Sequence, residues 1–96
     1  MKLGFIGLGN MAKAILAGLL RSGMFAAEDV VGSDVAEAMR LKVTEVYGIQ
    51  AMESNAEVAM ASDVLVLAVI PQFLEGVLKE LTNDIKEDTL IISIAA

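Results

Sequence analysis

The sequence predicts a doubly wound α/β domain, a parallel sheet of about five strands in the order 3-2-1-4-5 with helices on both faces. Three observations predict it. Short, nearly unbroken apolar runs alternate with segments of helical periodicity, the pattern of strands buried on both faces and their crossover helices. The first apolar run hands over to the first helix through a glycine-rich turn, "GFIGLGNMA". The segment "DVLVLAVIP" reads as a buried strand that stops at the only proline of the chain, Pro71.

The elements follow in order. Leu3 to Ile6 is a short buried strand. From Asn10 the period changes: Met11, Ala14, Ile15, Gly18 and Leu19 recur at helical spacing, and Gly23 sits where the helix stops. Val30 and Val31 form a second strand that ends near Ser33 and Asp34. Ala36, Met39, Val43 and Val46 mark one face of a second helix, stopped at Gly48. Ile49 to Met52 is a third, short strand. Ser54 and Glu57 have capping-box spacing and open a short helix to about Met60. After the fourth strand, Pro71 suits the first turn of a helix whose buried face is Leu74, Val77, Leu78 and Leu81. "TLIISIAA" is the last strand and an edge of the sheet. It carries no charge, so its free N–H and C=O groups invite pairing with another copy.

Composition narrows the function. The 96 residues suffice for one domain, residues 1–96. The chain is 56% hydrophobic but only 4% aromatic, so aliphatic residues, Ala and Met fill the core. A net charge of −6 without a basic stripe argues against nucleic acid as partner, and aromatic platforms for stacked bases are missing. With no Cys and no His there are no disulfides, no thiolate chemistry, no metal site of the usual type and no His-based triad. The uncharged apolar run around Val64–Leu74 contains Pro71 and is too short to span a bilayer. The N-terminus lacks a cleavage-site pattern, so a cytoplasmic setting is expected and no membrane partner.

Gly7-Leu8-Gly9-Asn10-Met11-Ala12 has the form G-x-G-x-x-A, between a strand and a helix. In that context Gly7 permits the tight turn, Gly9 lets a pyrophosphate approach the backbone, and Ala12 keeps the helix close to the sheet. The helix start offers unpaired N–H groups and a partial positive charge to phosphates. The bland reading is a glycine turn without a ligand. Asp34, about twenty residues on, stands where a carboxylate accepts from a ribose 2′-OH; spacing equally allows it to cap the next helix. Ser33 is a second candidate for that ribose or for a 2′-phosphate. Asn55 either meets the adenosine end or caps its helix. Ala68, Val69, Ile70 and Pro71, with Ser93, Ile94, Ala95 and Ala96, end the fourth and fifth strands, where ligands of such sheets bind. Small residues there leave room for a nicotinamide against the backbone, though ordinary strand ends read the same. Tyr47 reads as packing. No residue has the look of a catalytic acid, base or nucleophile.

Taken together, "GFIGLGNMAKAILAGLLRSG", "VVGSD", "SNAEVAMASDVLVLAVIPQ" and "LIISIAA" resemble pyrroline-5-carboxylate reductase over the whole chain. "GFIGLGNM" is also similar to the beta-hydroxyacid dehydrogenases, but those continue with a third Gly where this chain has Ala12; "AVIPQ" and "ISIAA" tip the balance. The resemblance implies a Rossmann-like domain and NADPH- or NADH-dependent reduction of 1-pyrroline-5-carboxylate to L-proline. A protonated imine is already a good hydride acceptor, so such an enzyme mainly holds it against the nicotinamide. By resemblance the cofactor contacts are Ile6, Gly7, Leu8, Gly9, Asn10, Met11, Ser33, Asn55, Ala68, Val69, Ile70, Pro71 and Ala95. Two positions depart from the family: Ile70 stands where its "AVKPQ" motif has Lys, and Val35 where Arg or another polar residue is common. The resemblance further implies a helical dimerising and substrate-binding domain that this chain lacks, and a homo-oligomer for the full-length enzyme. Asp34 beside Val35 favours NADH, because the carboxylate repels a 2′-phosphate and no cation compensates. The alternatives are the cofactor half of a hydroxyacid-type dehydrogenase and a non-catalytic nucleotide-binding module.

Overall fold

Phe5 and Ile6 point to opposite faces of one strand, and both are fully buried. A side-chain period of two with both faces covered requires a layer of helices on each side. A computed structural model describes residues 1–94 and contains those layers. The contact expected of Ala95 lies outside the described residues. The elements are β1 (Leu3–Ile6), α1 (Asn10–Ser22), a 3-10 turn (Ala27–Asp29), β2 (Val30–Ser33), α2 (Glu37–Tyr47), β3 (Gln50–Met52), α3 (Asn55–Ala61), β4 (Val64–Leu67), α4 (Pro71–Leu81) and β5 (Leu90–Ser93). The strands pair in parallel in the order β3-β2-β1-β4-β5, as predicted.

The sheet separates two cores. On one face Leu3, Phe5, Val30 and Val66 pack with Leu8, with Ala12 and Leu16 of α1, and with Val43 of α2. On the other, Ile6, Val31, Leu65 and Leu67 pack with Val58 and Ala59 of α3 and Leu81 of α4. α1 and α2 stop at Gly23 and Gly48, and Ser54 Oγ accepts the Glu57 N–H at 3.2 Å to open α3.

The buried faces of two helices are rotated from the predicted ones. On α2, Val46 is 59% exposed, and the core contacts are Met39, Val43 and Tyr47. These recur every four residues, so Tyr47 closes the stripe that Val46 was expected to close. On α4, Leu78 is partly exposed and outside the core cluster, while Leu74, Val77 and Leu81 face the core. β5 is an edge strand whose Leu90, Ile91 and Ile92 are exposed.

At the N-terminal end of the sheet, Asp63 joins β1 to β4. The Lys2 N–H donates to Asp63 Oδ2 at 2.8 Å, and the Asp63 N–H returns a bond to the Lys2 carbonyl at 2.8 Å. Lys86 Nζ reaches Asp63 Oδ1 at 3.0 Å. The Lys2 N–H first, and then the Lys86 ammonium, hold the Asp63 carboxyl below the usual carboxylate range. A depressed folded-state pKa stabilises fully above the unfolded value and is lost as pH falls through the folded one. Urea unfolding between about pH 7 and pH 2 is expected to show a smaller acid loss for Asp63→Asn than for the unmodified chain. Identical pH dependence in the two would remove Asp63 from the account.

Candidate functional site

The C-terminal ends of β1, β2 and β4 open onto one cleft of about 780 Å³. Its geometry begins at Gly7. The chain turns sharply after β1 with Gly7 at φ +96°, a conformation that side-chain-bearing residues rarely adopt. The turn also brings the residue against β4: a Cβ on Gly7 would lie 2.5 Å from the Ala68 carbonyl oxygen. The Gly7 N–H donates to the Ser33 carbonyl at 2.8 Å, so the turn is held by β2 as well.

Leu8 locks the loop. Its side chain is fully buried on the α1 side of the sheet, seated over Gly32 of β2. A Cβ on Gly32 would lie 2.6 Å from Leu8 Cδ2. The Leu8 N–H donates to Asp34 Oδ2 at 2.9 Å, and the Ala36 N–H donates to Asp34 Oδ1 at 2.9 Å. One carboxylate therefore braces the glycine loop and the turn into α2 together.

Gly9 is the N-cap of α1 and makes no side-chain cap bond. Its backbone is ordinary, at φ −75°, and a Cβ there would meet nothing within 4 Å. The first-turn N–H groups of α1 lack intrahelical partners, and no acidic residue occupies that turn. An anion is the natural partner for such a helix start.

Ser33 and Asn55, singled out separately in the sequence, meet in space. The buried Ser33 Oγ donates to Asn55 Oδ1 at 2.7 Å, which turns the Asn55 Nδ2 donors away from it. The cap of α3 is Ser54, so Asn55 is not the capping residue.

Of the predicted site residues, Ile6, Gly7, Gly9, Ser33, Asp34, Asn55, Ala68, Val69 and Ile70 line the cleft. Leu8 lies beneath the loop. Asn10 and Met11 begin α1, Pro71 begins α4, and none of these three is a cleft-lining residue. Sequence reasoning missed the α4 wall, made by Gln72, Phe73, Gly76, Val77 and Glu80. A signal was present in Gly76, an unexplained glycine at the centre of a helix. It also missed Arg40, whose side chain is 18% exposed. Its guanidinium folds back from α2 to donate to the Asp34 carbonyl at 2.7 Å and the Val35 carbonyl at 3.1 Å, with Glu53 at 3.9 Å.

The charged side chains lining the cleft, Asp34 and Glu80, are both acidic. No group of three or more potential metal ligands occurs among the described residues, and no helix among them is long and apolar enough to cross a membrane. Backbone donors at a helix start, small residues at strand ends and apolar walls suit the holding of an extended, phosphate-bearing ligand.

This fold and this loop define a doubly wound α/β domain with a G-x-G-x-x-A turn at its first strand–helix junction. The chain belongs to the family described as NADP oxidoreductase, coenzyme F420-dependent, which matches residues 2–96. It is 41% identical over 95 residues to a pyrroline-5-carboxylate reductase of Methanosarcina acetivorans, covering 99% of this chain and 35% of that protein. The chain thus spans about a third of the length of the curated relatives it matches. The solved pyrroline-5-carboxylate reductase of Coxiella burnetii superposes with a TM-score of 0.92 at 31% identity, covering 99% of this chain and 35% of that one. The Plasmodium falciparum pyrroline carboxylate reductase, solved with NADP bound, gives 0.84 at 28% identity, covering 99% and 33%.

The seat of Leu8 over Gly32 is testable. Gly32→Ala is expected to cost about 1–3 kcal/mol in urea unfolding, because the new methyl overpacks a filled space. Combined with Leu8→Val, the losses are expected to fall short of their sum by about 1 kcal/mol. Simple additivity would show that the two side chains do not share one space.

Proposed function

We propose that this chain is the dinucleotide-binding domain of a cytoplasmic pyrroline-5-carboxylate reductase. In this reading it holds NADH or NADPH so that a hydride passes to the imine carbon of protonated 1-pyrroline-5-carboxylate, leaving L-proline and the oxidised cofactor. The observation that carries the proposal is Gly9, a glycine at a helix start, on a cleft wall, with ordinary backbone angles and open space where its side chain would be. Glycine is a favoured N-cap, but unlike Ser, Asn or Asp it leaves the first-turn N–H groups unbonded, and a pyrophosphate can take them. The match over nearly all of this chain to proteins named pyrroline-5-carboxylate reductase supports the choice of reaction.

In this reading the backbone of Gly7, Gly9, Asn10 and Met11 cradles the pyrophosphate, and Leu8 serves by anchoring the loop. Ser33, Asp34 and Asn55 meet the adenosine ribose. Ala68, Val69 and Ile70, with Pro71 behind them and Ala95 on the next strand, border the nicotinamide. Substrate binding belongs to a separate helical domain, and the exposed apolar edge of β5 favours association of copies.

Calorimetric titration of this chain with NADH is expected to show binding, and Gly9→Val is expected to abolish it while lowering the thermal midpoint only by the modest cost of a poorer N-cap. No binding at millimolar cofactor would overturn the reading. Proline formation by this chain alone would overturn the assignment of substrate binding to another domain.

NADH is the preferred cofactor in this proposal. A 2′-phosphate at the β2 end meets the Asp34 carboxylate, while Arg40 is committed to two carbonyls. Val35 is 87% exposed, so Val35→Arg adds a cation without disturbing packing. It is expected to shift the NADH-to-NADPH affinity ratio about tenfold toward NADPH, roughly 1.4 kcal/mol. Tighter binding of NADPH by the unmodified chain, in paired titrations at one ionic strength, would reject the preference.

A further inference from the structure

We propose that Arg40 is a positioning residue: from outside the cleft it holds the end of β2 so that the Asp34 carboxylate can read the 2′-hydroxyl of an adenosine ribose. The inference rests on the reading of the cleft as a dinucleotide site. Asp34 lines the cleft and Arg40 does not. The guanidinium works from behind, on the backbone that carries the carboxylate.

Asp34 and Val35 lie between β2 and α2, so neither the sheet ladder nor the helix bonds their carbonyls. Among the described residues both carbonyls accept only from Arg40 Nη1, at 2.7 Å and 3.1 Å. One nitrogen therefore holds two consecutive peptide groups that nothing else holds. The other polar groups of Asp34 are bonded to backbone: its N–H donates to the Met52 carbonyl at 3.3 Å, and its carboxylate accepts from the Leu8 and Ala36 N–H groups, each at 2.9 Å. Arg40 supplies the one bond to Asp34 that comes from a side chain. It comes from the first turn of α2, and its Nη2 stands 3.9 Å from Glu53, in the connection from β3 to α3. The side chain thus reaches both connections that bring residues to this end of the cleft, Asp34 and Val35 on one, Asn55 just beyond the other.

The charge of Arg40 stays off the carboxylate. Among the described residues its ion-pair partner is Glu53, and none joins it to Asp34. A forked Arg–carboxylate pair would occupy the acceptor sites of Asp34 and cancel its charge. Bonding to the carbonyls fixes where the carboxylate stands and leaves its second lone pairs open to a hydroxyl. Lysine is a poor substitute, because its compact ammonium sits on a different stem and lacks the planar fork.

The test titrates NADH and its analogue lacking the 2′-hydroxyl of the adenosine ribose into the unmodified chain, Arg40→Met and Arg40→Lys, with thermal unfolding measured beside. The unmodified chain is expected to prefer NADH about tenfold. Arg40→Met keeps an apolar stem and removes the donors. It is expected to weaken NADH about tenfold and the analogue less than about threefold, so that the preference collapses. Arg40→Lys is expected to keep part of the preference. A merely structural role would weaken both ligands alike and leave their ratio unchanged. If Arg40→Met fails to fold, the ratio in Arg40→Lys decides. An unchanged ratio in a variant that binds NADH would overturn the positioning role, as would an unmodified chain that binds both ligands equally, and in either case the proposed function stands. If the unmodified chain binds neither ligand, both fall.

Discussion

The bond from the Leu8 N–H to the Asp34 carboxylate is the constraint on which the rest of the site depends. A loop rich in glycine is held by few of its own side chains, so its shape must be imposed from outside. Here it is imposed mainly by β2. The Ser33 carbonyl takes the Gly7 N–H, Asp34 takes the Leu8 N–H, and Gly32 leaves the space that the Leu8 side chain fills. From the other side, the Ala68 carbonyl stands so close to Gly7 that no side chain fits. Hydrogen bonds to an ionised acceptor contribute about 1.5–3 kcal/mol each, more than neutral ones. The start of α1 is therefore aimed by three strands at once, and its N–H groups point to a fixed place before any ligand arrives.

Asp34 is not the cap of α2, whose N-cap Ala36 has no side-chain cap bond, but its carboxylate braces the turn that leads into that helix. Its carboxylate binds the turn into α2 through the Ala36 N–H and reaches the glycine loop through the Leu8 N–H, while also lining the cleft. Each carboxylate oxygen has a second lone pair, so bracing the loop does not exhaust its capacity to accept from a ribose hydroxyl. Arg40 completes the arrangement by clamping the carbonyls of Asp34 and Val35. The β2–α2 turn is thereby fixed on both sides of the chain, and the Arg40 guanidinium that reaches it is bonded to backbone carbonyls.

Most of the fold was legible because its signals are local. Unbroken apolar runs mark the strands and helical spacing marks the helices, and Pro71, Gly23 and Gly48 mark helix boundaries. What escaped depended on reach or on rotation. Arg40 acts six residues back along the chain, at a distance only its long side chain spans. The buried stripe of α2 closes on Tyr47, a residue whose hydroxyl lowers its hydrophobic weight in a periodic pattern, so Val46 took its place in the reading. The cleft-facing stripe of α4 mixes an aromatic, a glycine, a valine and an acid, which no apolar period reveals. Leu8 occupies a variable position of the G-x-G pattern, and only the packing over Gly32 shows that it is the anchor.

The glycines of this chain separate into two kinds, and the separation carries functional content. Gly7 is required by its backbone angle and by the Ala68 carbonyl, and Gly32 by the Leu8 side chain. These are explained by the fold alone. Gly9, Gly18 and Gly76 have ordinary backbone angles and open space beside them, and of these Gly9 and Gly76 line the cleft. In a helix interior a glycine costs about 1 kcal/mol against alanine, a large share of the stability of a small domain. A folded chain accounts for such costs through its own contacts wherever it can. Where it does not, and the residue lines a cleft, the compensating contact lies with whatever fills that cleft. The cleft itself extends beyond the glycine loop, past the end of β2 and along α4.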